Sequence, residues 1–137
     1  MVGAVALAAG AACDDRERIV IAPDNGGGGG GGGGGDREGP VTAIAVPALP
    51  DTVVTAGPGV FIAGRMDDAT GIDTLYVDVS GGITRYPPID QDGRRGVAFA
   101  FPFTTAGQQG EEIVVLIHGV DVLGNRGSAV RRRILVQ

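Results

Sequence analysis

The sequence has no lysine and no tryptophan, a single cysteine and a single histidine, and aromatic residues make up only 4% of it. Each scarcity removes a class of chemistry. One cysteine, Cys13, cannot form an internal disulfide, so the fold must rest on its core alone. One histidine, His118, has no second histidine or cysteine nearby to make a zinc site and no motif that makes a catalytic triad. It reads as a surface strand residue. No apolar run reaches the ~20 residues that a membrane-spanning helix requires. All eleven cations are arginine, outnumbered by 16 acidic residues for a net charge of -5. That balance argues against nucleic acid, which needs a basic face. No nucleophile–base set is present, and the reading is of a protein that is not an enzyme and needs no cofactor.

What is present begins with a small, apolar N-terminus. Residues 2–12 are Val, Gly, Ala and Leu only, and they end at Cys13, followed by Asp14, Asp15 and Arg16. The length suits the apolar and cleavage regions of a secretory signal. Gly10, Ala11 and Ala12 before Cys13 resemble the lipobox of bacterial lipoproteins. That resemblance implies a signal peptide over residues 1–13 and lipid attachment at Cys13. It further implies a place in the bacterial cell envelope, lipid-anchored on the extracytoplasmic side. Two features depart from the pattern: Gly10 stands where a larger aliphatic residue is usual, and no basic residue precedes the apolar stretch. An ordinary signal cut near Ala11 is the competing reading.

Residues 14–39 are charged or glycine, apart from one apolar patch at 19–22 and the single residues Pro23 and Asn25, and residues 26–35 are ten consecutive glycines. Polyglycine loses the most backbone entropy on ordering and has no side chain to bury. The segment therefore reads as a disordered acidic, glycine-rich linker with a root-mean-square span of about 25–30 Å. A phosphate-binding loop is excluded, because no Lys-Ser/Thr closes the run.

Residues 40–137 carry short alternating runs divided by turn residues, and no stretch has helical spacing, which predicts an all-β domain. Strands are expected at 41–46, 60–66, 74–80, 83–86, 97–103, 113–120 and 130–136, with a ragged edge segment around Val53. Period two places Leu75, Val77 and Val79 on one face. It does the same for Val97, Phe99, Phe101 and Phe103, which should centre the core. The 113–120 run is apolar on both faces. The Ser80-Gly-Gly82 link allows only a tight hairpin, so 83–86 is expected to stay in the same sheet as 74–80.

Asp68-Ala-Thr-Gly-Ile72 and Asp121-Val-Leu-Gly-Asn125 resemble the turns of bacterial immunoglobulin-like and fibronectin-III-like extracytoplasmic domains. The resemblance covers about 95 residues. It implies a seven-stranded antiparallel sandwich with three loops at one end. Those loops would hold Asp67, Asp68, Asp90, Asp92, Asp121 and Asn125, oxygen donors of the kind calcium takes. The competing role is turn capping, since Asp68, Asp90 and Asp121 each stand three residues before a glycine. Arg131, Arg132 and Arg133 should alternate in direction on a solvated edge strand. Tyr76, Tyr86 and Phe61 are the only candidates for a sugar-stacking row. Together these features point to a non-catalytic, lipid-anchored module that binds or spaces at the envelope. Its partners would be the membrane through its anchor and an envelope protein or glycan. The alternative is an accessory carbohydrate-binding domain.

Overall fold

A computed structural model describes residues 35–57 and 59–137. Cys13, the signal segment 1–13 and linker residues 14–34 lie outside the described residues. The described chain is all-β: β1 (Val41–Val46), β2 (Asp51–Val54), β3 (Val60–Ser80), β4 (Ile89–Phe103), β5 (Glu112–Asp121) and β6 (Val130–Val136). They form one curled sheet in the order β1-β3-β5-β6-β2, with β4 also paired to β3. The expected count and sense are corrected here. Among the described residues there are six strands, not seven, and β2 runs parallel to β6, so the sheet is mixed and not wholly antiparallel.

The largest correction concerns Asp68-Ala-Thr-Gly71. Turn chemistry suggested a chain reversal between two strands. Instead the segment is a kink inside one 21-residue strand. Asp68 Oδ1 accepts the Thr70 and Gly71 backbone N–H groups, both at 2.8 Å. Gly71 takes φ 115°, where a side chain would be strained and would strike the Gly93 carbonyl of β4. The residues before the kink pair with β1 and with the second half of β4. The residues after it pair with β5 and, over Ile72–Leu75, with the first half of β4. β4 bends at the same level, through Asp92 (φ 53°) and Gly93 (φ 70°). Two long strands kinked side by side carry the sheet over onto itself.

The expected strand at 83–86 is not formed. β4 begins at Ile89 and supplies the pairing with β3 that 83–86 was expected to make. Residues 83–88 run instead as irregular chain. The Tyr86 ring packs on Phe101 and Phe103, at centroid distances of 5.0 and 5.5 Å, and its hydroxyl donates to the Pro102 carbonyl.

The inner faces of the curled sheet enclose one core. Ile62 and Met66 come from β3 before the kink, and Ile72, Leu75 and Val77 from β3 after it. Phe99, Phe101 and Phe103 come from β4, Ile113, Val115 and Ile117 from β5, and Ile134 and Val136 from β6. The period-two assignment holds for Leu75, Val77 and all three phenylalanines, while Val79 and Val97 are partly buried against the cluster.

β6 is not an edge strand, as had been expected, because β2 covers its far side. Arg131 and Arg133 point outward to Asp51 and Glu112, at 3.6 and 2.6 Å. Arg132 turns inward and is buried. Its Nε donates to Pro47 O at 2.9 Å and its Nη2 to Ile44 O at 3.1 Å. A guanidinium that satisfies one carbonyl near the end of β1 and another just beyond it ties the start of the β1–β2 connection to β6.

Candidate functional site

Three Asp-x-x-Gly segments meet at one end of the sheet: the β3 kink at Asp68, the β4 bend at Asp90 and the β5–β6 turn at Asp121. All three carboxylates cap backbone amides, as the residue pattern predicts. Asp90 Oδ1 accepts Asp92 N at 2.8 Å. Asp121 Oδ1 accepts Leu123 N at 2.8 Å and Asn125 N at 2.7 Å. Its Oδ2 accepts Asn125 Nδ2 at 2.7 Å and stands 3.3 Å from the Thr70 hydroxyl. That hydroxyl is closer to Asp68 Oδ1, at 2.6 Å, and its one proton serves one carboxylate at a time. Val122 N donates to Gly71 O at 2.9 Å and joins the β5–β6 turn to the β3 kink.

The sequence did not reveal a third carboxylate here. Asp36, from the last part of the expected linker, brings an oxygen into a group with Asp68 and Asp121, all within 4.8 Å of one another. Asn125 Nδ2 holds that segment by donating to Asp36 O at 3.0 Å, and Asp36 Oδ1 accepts Glu38 N. Gly39 lies so close to the Arg126–Gly127 backbone that a Cβ there would overlap it. A shallow pocket of about 400 Å³ opens beside the group, lined by Asp36, Glu38, Asp67, Asp68 and Arg95 among others.

Of the six residues singled out by sequence, Asp68 and Asp121 converge and Asn125 bonds Asp121. Asp67, Asp90 and Asp92 lie at the same end but do not join the carboxylate group. Asp67 is ion-paired with Arg65 at 2.8 Å, and Asp90 and Asp92 are occupied with the β4 bend.

The electrostatics of Asp121 follow from its partners. Only 1% of its surface is exposed, and burial alone would push its pKa up. The side chain and backbone of Asn125, the Leu123 N–H and Thr70 together outweigh that and hold the carboxyl below its ordinary range. It therefore stays charged. Three carboxylates at this spacing concentrate negative potential, and a hard divalent cation would relieve it. The three carboxylates and the Thr70 hydroxyl would supply four of the six to eight oxygens calcium takes. Both oxygens of Asp121 are already engaged, so an ion would compete with its caps.

The aromatic candidates do not share a surface. Tyr86 is part of the core edge. Tyr76 stacks flat on His118, with centroids 4.9 Å apart and planes 5° from parallel. Phe61 is exposed and lines an apolar groove with Val46, Pro47, Val54 and Ile134. His118 itself corrects the expectation of a surface position, since only 5% of it is exposed.

Compared with known protein families, curated proteins and solved structures, the chain finds no match.

Proposed function

We propose that this chain is a non-catalytic, lipid-anchored module of the bacterial cell envelope, held at its N-terminus and acting by binding or spacing through an immunoglobulin-like domain. The observation that carries the reading is an order of parts. A small-residue apolar stretch ends at a lone cysteine, ten glycines follow, and an all-β domain comes last. An acylated cysteine anchors stably only with two or more chains, which lipoprotein processing supplies.

The pairing pattern supports the immunoglobulin-like part. β1, the first half of β3 and the second half of β4 correspond to one layer of such a sandwich. The first half of β4, the second half of β3, β5, β6 and β2 correspond to the other. The sugar-binding alternative has less support, because Tyr76, Tyr86 and Phe61 offer no row of rings to a glycan.

Fractionation of bacterial cells expressing the full chain tests the proposal. The protein should partition into detergent with the membranes, and Cys13→Ala should move it to the aqueous phase. A wild-type protein that is already aqueous would contradict the anchor.

A further inference from the structure

His118 is the only histidine in the chain, and the fold buries it on the outward-pointing row of β5. Its cover is Tyr76, its direct cross-strand partner on β3. Among the described residues, Nδ1 has no hydrogen-bond partner. Asp78 of β3 places Oδ2 3.6 Å away, too far to accept, and is itself 60% exposed. Arg126, in the β5–β6 connection, is the cation that acts on the ring. From β6, Arg131 shares that outer face opposite Leu116 and is ion-paired with Asp51.

We propose that His118 is an acid-sensitive pin between β3 and β5: neutral, it seals the outer face by stacking on Tyr76; protonated, it leaves that buried place and loosens the seam. An imidazolium here must shed its water, and among the described residues no acceptor stands within hydrogen-bond reach of Nδ1 to compensate. Burial holds the pKa below the ordinary value, Arg126 adds to the depression, and Asp78 opposes it. A depressed pKa means that the unfolded chain takes the proton more readily than the folded one. The contribution is then complete above about pH 6.5 and is lost as pH falls through the folded value. Side-chain carboxylates ordinarily titrate near 4 and the α-amino group near 8, so the interval between belongs to this one residue.

The test uses the full chain, with imidazole NMR titration and thermal melts from about pH 7.5 to about pH 5. The imidazole midpoint should fall below about 6.5, and the melting temperature should drop by several degrees across the interval. His118→Gln and His118→Phe should flatten that drop, the second while keeping a ring against Tyr76. Asp78→Asn should lower the midpoint and deepen the drop, and Arg126→Gln should do the reverse. A flat wild-type profile, an equal drop in His118→Phe, or a midpoint at or above about 6.5 would each overturn the proposal. Should His118→Gln fail to fold, the phenylalanine variant and the wild-type midpoint still decide.

Discussion

Phe101→Ala removes a ring from the middle of the core. Phe101 is 8% exposed, stacks on Phe99 at 5.4 Å and meets Tyr86 at 5.0 Å. Returning a buried phenylalanine side chain to water costs about 1.5–3 kcal/mol. The cavity left among Phe99, Tyr86 and their neighbours raises the loss to about 3–5 kcal/mol. A domain of this size has about 5–15 kcal/mol in total. At roughly 4–8 °C per kcal/mol, the melting temperature should fall by at least about 12 °C. Urea unfolding followed by circular dichroism measures the free energy directly. The neighbouring Ala100 points outward, so Ala100→Ser should change stability by less than about 0.5 kcal/mol. If Phe101→Ala costs under about 1 kcal/mol while Ala100→Ser costs more, the face of β4 has been assigned backwards, since a one-residue slip exchanges the two rows.

Arg132→Met keeps the stem and removes the guanidinium from Pro47 O and Ile44 O. A loss of about 2 kcal/mol is expected in chemical denaturation, with Arg133→Ala near the wild type because its partner is at the surface. Asp121 and Glu112 are both held below their ordinary pKa, Asp121 by its donors against the opposing effect of burial and Glu112 mainly by Arg133. Their contribution is therefore present above about pH 4 and lost as acid protonates them. Asp121→Asn should flatten the acid limb of a stability–pH curve below about pH 4. Millimolar calcium should leave the melting temperature unmoved if Asp68 and Asp121 only cap. A rise that disappears in both Asp36→Ala and Asp68→Ala would make the group a metal centre, with about 2.7 kcal/mol expected at a hundred times the dissociation constant.

Much of the fold was legible where apolar alternation is bounded by clear breakers. β1 and β6 have the expected limits, and the Phe99–Phe103 row faces inward as period two requires. Asp-x-x-Gly was legible as local chemistry but not as topology. A carboxylate cap on the amide two residues on serves a chain reversal at Asp121 and a kink in a continuing strand at Asp68, and the pairing partners of β3 show which is which. Residues 83–86 have strand-forming side chains, yet Tyr86 packs on Phe101 and Phe103 while Ile89 and Asp90 of β4 take the place beside β3. In the site, Asp68, Asp121 and Asn125 were recognisable from turn spacing. Asp36 was not, because its contact with Asn125 spans 89 residues and nothing local announces it. His118 escaped for a related reason: alternation turns it outward, and a cross-strand tyrosine then covers it.

The most direct test of a lipid-anchored module is the chemical state of Cys13. The full reading frame is expressed in a bacterium that processes lipoproteins, and the mature N-terminal peptide is read by tandem mass spectrometry. The expected peptide begins at Cys13 and carries a diacylglyceryl group on its sulfur. A mature chain that retains residues before Cys13, or one with an unmodified Cys13 thiol, would contradict the anchor and with it the proposed place of the protein.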